Sequence, residues 1–237
     1  LAVATGYAFD LAEAHPDPEV RKANQAFVDL MIPIHKGWAT EMAQDVTYQG
    51  VQVHGGMGFV EETGAAQYYR DARITTIYEG TTAIQANDLV GRKMAREGGV
   101  TAKALIATMR AFAAELGKSG NAHLKASHKR LVDGIDAVER AVDYNLANFN
   151  HNIRASFAGS VPMVKLFGIV CGGWQLARVA LAAEQRLANA GDDRDFLEAK
   201  IATLRFFTDT MIPEAIAAAD VIVNGAEGTL ALAEASF

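Results

Sequence analysis

Thr101-Ala102-Lys103-Ala104-Leu105-Ile106-Ala107-Thr108-Met109-Arg110-Ala111-Phe112-Ala113-Ala114-Glu115-Leu116 contains neither glycine nor proline, and Leu105, Met109, Phe112 and Leu116 recur in it at steps of four, three and four. That spacing is one face of an α-helix. Leu131, Ile135, Val138 and Val142 repeat the pattern further on. Beyond Gly98-Gly99 the spacing predicts four helical segments, about 101–116, 122–150, 162–188 and 194–227. Their separators, Gly117–Gly120, Ala155–Val161 and Asn189–Asp193, are short and rich in small or polar residues. Long amphipathic helices joined by short turns make an up-and-down bundle of roughly four helices. Pro213 should bend the last of them, since it has no N–H to give the preceding turn.

Towards the N-terminus the helical reading continues. Val3, Tyr7 and Leu11 share one face of a helix over Leu1–Ala14, and His15-Pro16-Asp17-Pro18 ends it. Asp17 and Pro18 can then cap and open a helix from Pro18 to about Gly50, kinked at Pro33. Glycines at 55, 56, 58 and 64 are expected to forbid regular helix between Gln52 and Gly64. A short helix follows over about Ala65–Ala72. The β-branched run Arg73-Ile74-Thr75-Thr76-Ile77-Tyr78 reads as extended, and Thr81 or Thr82 caps a helix over about Ala83–Arg96. The fold class is therefore all-α, with one helical body over 1–97 and a second over 98–237, divided at the Gly98-Gly99 linker. No series of alternating strands and no internal repeat stands out. The chain opens inside a helix on a residue other than methionine, so it is expected to be a piece of a longer protein.

Composition narrows the function classes. Half of the 237 residues are hydrophobic and the formal net charge is −6, with no block of lysine and arginine. Such a surface argues against nucleic acid and anionic membrane as partners. No signal-like segment and no uninterrupted apolar span of membrane length is present, and a cytoplasmic location is expected. Cys171 is the single cysteine and is read as an inert buried thiol. His123 and His128, five apart, read as solvated surface, and no metal site is expected. Trp38, Trp174 and the Phe206-Phe207 pair are simplest as core or interface residues.

Two segments differ from generic helix sequence: Gln52-Val53-His54-Gly55-Gly56-Met57-Gly58-Phe59, and Arg70-Asp71-Ala72-Arg73-Ile74-Thr75-Thr76-Ile77-Tyr78-Glu79-Gly80-Thr81-Thr82-Ala83-Ile84-Gln85. The first is either a plain helix-to-helix turn or a loop whose glycines let backbone approach a ligand. It is a poor dinucleotide fingerprint, because no strand precedes it and the third glycine is missing. In the second, Glu79 is either a charge favoured near a helix start or a carboxylate held on a loop for chemistry.

Together these segments resemble the signature of the acyl-CoA dehydrogenase family: Arg70-Asp71-Ala72-Arg73 followed by Ile77-Tyr78-Glu79-Gly80-Thr81, with Gln52-x-x-Gly55-Gly56 upstream. Residues 1–97 resemble the end of that family's C-terminal helical domain. The remainder resembles the extra helical domain of a bacterial subgroup that includes methylthiopropionyl-CoA dehydrogenases. The resemblance implies an FAD-dependent α,β-dehydrogenation of an acyl-CoA thioester to a trans-2-enoyl-CoA, with electrons passed to an electron-transferring flavoprotein. It implies Glu79 as the base that removes the α-proton, a task for which a carboxylate must be desolvated. The Glu79 N–H is expected to hold the thioester oxygen, and Gly80 to leave room for substrate. Thr81, Thr82 and Ala83 match positions beside FAD, although Ala83 replaces a side chain that is often polar. Gln52, Val53, His54, Gly55 and Gly56 match the loop reaching the adenosine diphosphate part of FAD across a subunit interface, in a homodimer or homotetramer. Some members carry the base on an earlier helix; the glutamate of Tyr78-Glu79-Gly80 argues against that here. The rival expectation is a non-catalytic helical assembly domain, holding one wall of a flavin site and inactive by itself.

Overall fold

The computed structural model describes residues 1–189 and 191–236, and among these it contains helices and turns and no strand. Helix α1 spans Ala2–Ala14 and packs on α2, Pro18–Ile34. Asp17 caps α2, its carboxylate accepting from the Glu19 N–H at 2.9 Å, and Pro18 stands at the first position, where a missing N–H costs nothing. Pro33 is followed by a π-helical turn, His35–Ala39, after which α3 runs over Thr40–His54. The expected break at residue 50 is thus corrected. Gln52, Val53 and His54 belong to the last turn of α3, and the chain leaves the helix at Gly55, whose φ of 59° only glycine adopts freely.

Gly56–Phe59 forms a single turn, α4, despite its two glycines. Helix α5 then covers Ala65–Thr75 and Thr76–Tyr78 form a turn, which overturns the extended reading of Arg73–Tyr78. Packing along α3 outweighs the weak β preference of these residues, and the Thr75 hydroxyl donates back to the Ala72 carbonyl at 2.6 Å within helical geometry. Thr81 caps α6, Thr82–Asn87, which continues as a π-helical segment, Asp88–Met94, to the turn at Gly98-Gly99.

Helices α7, Val100–Leu116, and α8, Ala122–Phe149, bury the faces named from their spacing. Met109, Leu116, Leu131, Ile135, Val138 and Val142 are wholly inaccessible, and Phe112 packs at the edge of the core. The expected separator Ala155–Val161 is mostly helical. Asn152 caps the short α9, Ile153–Ala158, and α10 already begins at Ser160, with Pro162 in its first turn. The last long helix is interrupted at Met211, giving α11, Arg194–Thr210, and α12, Ile212–Asn224, with Pro213 in the first turn of α12; a four-residue turn, α13, covers Ala226–Thr229.

α10 spans Ser160–Leu187 and is the hub, packed on α8, α11 and α12 on one side and on α2, α6 and the His35–Ala39 turn on the other. It is long and apolar enough to cross a membrane, with a mean hydropathy of 1.5 over its most apolar window, but most of that window is buried in the bundle. Val164, Phe167 and Val170 of α10 join Leu30, Met31 and Ile34 of α2 and Leu131 and Ile135 of α8 in one hydrophobic cluster. Each such side chain removed from water contributes about 1.5–3 kcal/mol. Cys171 lies inside this cluster, where burial pushes its thiol up to about 12, so it is not a thiolate at neutral pH. Trp174 is buried, Phe207 is half-buried, and Phe206 is exposed.

Candidate functional site

Helices α3 and α5 lie side by side, and the turn that follows α5 carries Glu79. Tyr78 N–H closes the end of α5 on the Ile74 carbonyl at 3.1 Å, and the next residue, Glu79, takes a φ of 55°. It is the one non-glycine residue with positive φ among those described, and such a conformation persists only where its surroundings hold it. Several contacts do so. Gln85 Nε2 donates to the Glu79 carbonyl at 3.1 Å, and Thr82 N–H donates to the Thr76 carbonyl at 3.3 Å. Gly80 takes a φ of 93°, which a side chain would strain, and a Cβ there would lie 2.8 Å from Gln85 Nε2 and displace that amide from the Glu79 carbonyl.

The turn is also tied to the preceding helical segment. Lys36 Nζ donates to the Thr75 carbonyl and stands 4.6 Å from the centre of the Tyr78 ring. The Thr82 hydroxyl donates to Glu41, and Gln44 Nε2 donates to the Ala72 carbonyl at 2.7 Å. Glu41 is thereby engaged. The Glu79 carboxylate is exposed and, among the described residues, makes no hydrogen bond or ion pair, and the Glu79 N–H has no acceptor. Ile77, Tyr78 and Ile84 around it are about half exposed. The result is a free carboxylate and a free N–H on one strained residue, rimmed by apolar side chains.

The other segment lies elsewhere. Gln52, Val53 and His54 end α3, while Glu41 and Thr82 meet near its start, so the two segments are separated by roughly 20 Å at 1.5 Å per residue. They do not line one cavity within this chain. Gln52 donates to the Tyr48 hydroxyl at 2.9 Å, and the His54 ring contacts the Gly50 carbonyl at 2.8 Å. Val53, Met57 and Phe59 project into solvent, and nothing lies within 4 Å of a Cβ built on Gly55 or Gly56. Thr81 and Ala83 are exposed at the start of α6. No group of three or more His, Cys, Asp or Glu among the described residues is arranged to hold a metal ion.

Lys36, Glu41 and Gln44 were not singled out by the sequence. Lys36 and Glu41 are five apart, a step that separates faces of an α-helix; the π-helical turn between them changes the helical phase. Gln85 lay within the quoted segment, but its bond to Glu79 depends on the turn.

Residues 10–94 match the family model described as acyl-CoA dehydrogenase, C-terminal domain, and residues 105–233 match that described as acetyl-CoA dehydrogenase C-terminal like. The chain is 48% identical over 214 residues to the 3-methylmercaptopropionyl-CoA dehydrogenase of Ruegeria pomeroyi, an alignment covering 90% of this chain and 36% of that protein. It is 32% identical over 217 residues to a broad-specificity linear acyl-CoA dehydrogenase of Mycobacterium tuberculosis, covering 88% and 35%. The chain thus spans about a third of the length of these relatives. A crystal structure of an acyl-CoA dehydrogenase complexed with FAD from Bacillus anthracis shares the fold, with a TM-score of 0.67 at 18% identity over 94% of this chain and 38% of that one.

Proposed function

Because this chain belongs to the acyl-CoA dehydrogenase family, we propose that it is the C-terminal part of an FAD-dependent enzyme that converts an acyl-CoA thioester to a trans-2-enoyl-CoA, with Glu79 as the α-proton-abstracting base. The observation that supports this best is the Glu79 turn, where an unengaged carboxylate and an unengaged N–H are held by the same residue at a φ of 55°. The N–H can donate to the thioester oxygen as enolate charge develops there, which acidifies the α-carbon, while the carboxylate takes the α-proton. Bound FAD supplies the acceptor for the β-hydride. Loss of the α-proton and the β-hydride leaves the carbon–carbon double bond. Tyr78, Ile77 and Ile84 offer apolar surface that, once covered by substrate and by the rest of the enzyme, removes water from the carboxylate.

The residues at the two ends of α3 fit a flavin cofactor as one wall of its site. Thr81 and Thr82 bring short hydroxyl side chains, Ala83 only a methyl, and Gly55 and Gly56 leave backbone bare for close approach. The separation of the Gln52–Gly56 segment from Glu79 suits a role toward the cofactor of a second subunit in a homodimer or homotetramer. An electron-transferring flavoprotein completes the cycle. The similarity to a 3-methylmercaptopropionyl-CoA dehydrogenase makes that thioester the first substrate to assay. In the full-length parent, Glu79→Gln should lower turnover at least about 100-fold with FAD content unchanged. Near-normal turnover would put the base on another segment.

A second reading is favoured by the exposed Val53, Met57, Phe59 and Tyr68, which form apolar surface at one end of the α3–α5 pair. In that reading this portion by itself is a helical assembly domain, and catalysis requires the remainder of the parent protein.

A further inference from the structure

We propose that Lys36 is a positioning residue for Glu79, set in place by the helical bundle that follows Gly98-Gly99. The inference rests on the reading of Glu79 as the base.

The side chain of Lys36 holds the N-terminal side of the strained turn at two points. Its ammonium donates to the carbonyl of Thr75, the last residue of α5, and sits against the face of the Tyr78 ring, immediately before Glu79. An ammonium at 4.6 Å from a ring centre attracts it through the ring quadrupole. One head group therefore fixes the point where the helix stops and the direction in which the chain re-enters the turn. Glu79 inherits its position from both, because its own carboxylate is tied to nothing.

Lys36 is in turn held from the other side. It belongs to the π-helical turn His35–Ala39, whose i→i+5 geometry departs from the helix before it. The neighbouring Gly37 presses on α10 so closely that a Cβ there would lie 2.8 Å from Val164 Cγ1, and the Trp38 ring lies over Gly168. His35 bonds Thr5 of α1 at 2.8 Å. The turn is thus seated on α10 by Gly37 and Trp38 and on α1 by His35, with Lys36 directed at the Glu79 turn. α10 belongs to the C-terminal bundle, and its packing carries through this turn to Glu79. The bundle thereby acquires a task beyond stability, as a brace for the turn that carries the base.

The test uses the full-length parent holoenzyme with Lys36→Met, Lys36→Arg and Glu79→Gln side by side. Lys36→Met keeps the apolar stem and removes the ammonium. A displacement of the base by about 1 Å corresponds to a loss of turnover of about 100-fold, so kcat should fall between about 10- and 100-fold. KM, FAD content and melting temperature should stay near wild type, and the isotope effect of α-deuterated substrate should rise as proton abstraction becomes slower. Lys36→Arg keeps a cation that can donate to Thr75 and stack on Tyr78, and should recover part of kcat. If Lys36→Met does not fold, Lys36→Gln, which keeps a donor but carries no charge to set against the Tyr78 ring, decides: kcat should fall severalfold at unchanged KM, and full activity overturns the inference. A folded Lys36→Met enzyme within twofold of wild-type kcat, beside an inactive Glu79→Gln, overturns this inference and leaves the base assignment standing. A Glu79→Gln enzyme with normal turnover overturns both.

Discussion

Trp38 lies flat against the backbone of α10 at Gly168, so closely that a Cβ on Gly168 would stand 2.2 Å from the indole Cγ. Gly172, one turn later, accommodates the far edge of the same ring, with a built Cβ 3.2 Å from Trp38 Cη2. This is how the turn after Pro33 docks on the hub helix. Glycine is required at 168 for space, since a helical position imposes no special backbone demand.

Gly168→Ala therefore forces either the indole or α10 to move. Alanine has the better helix propensity by about 1 kcal/mol, but a methyl pushed into a packed aromatic costs about 1–3 kcal/mol and occasionally more, and contact at 2.2 Å lies at the severe end. Urea denaturation should show a net loss of stability. A gain would mean that Trp38 leaves its place without cost.

The same turn should make stability depend on pH. Burial holds His35 below its ordinary value of 6.5. The unfolded chain then takes up the proton first as pH falls. The stability from neutral His35 is fully present above about pH 6.5 and is lost as pH drops from there through the lower folded-state value. Thermal midpoints should decline over that acid range, and His35→Gln, which keeps a hydrogen-bonding partner for Thr5, should flatten the decline. An equally steep decline in His35→Gln would assign it to other groups.

The chain purified alone should hold FAD weakly and should not turn over acyl-CoA. Glu79, Thr81, Ala83, Gly55 and Gly56 sit on open surface, with the Gln52–Gly56 segment and the Glu79–Ala83 segment at opposite ends of α3. An interaction spread over a single wall leaves most of a flavin in water and leaves the carboxylate hydrated. A single-species sample with stoichiometric flavin that bleaches on addition of acyl-CoA would contradict this.

The sequence by itself determined the helical class and most helix faces, because spacings such as Leu131, Ile135, Val138 and Val142 reflect a local geometry that survives any tertiary arrangement. It also determined the cap at Asp17 and narrowed the next to Thr81 or Thr82, of which the structure takes Thr81, because a short polar side chain meets its own neighbouring N–H groups. The Tyr78-Glu79-Gly80 segment was singled out through its resemblance to a family signature; its residue types alone left Glu79 open between a helix-start charge and a carboxylate held for chemistry. The tertiary structure alone decided the rest. Arg73–Thr75 became helix because α5 packs along α3, a contact that β-branched composition does not report. The helix persisted to His54 because its stop depends on the backbone angle at Gly55, while the glycine count after Gln52 had suggested an earlier end. Lys36 reached Tyr78 only because a π-helical turn altered the phase of the helix against α10. That change comes from packing between segments more than a hundred residues apart, which no local pattern encodes.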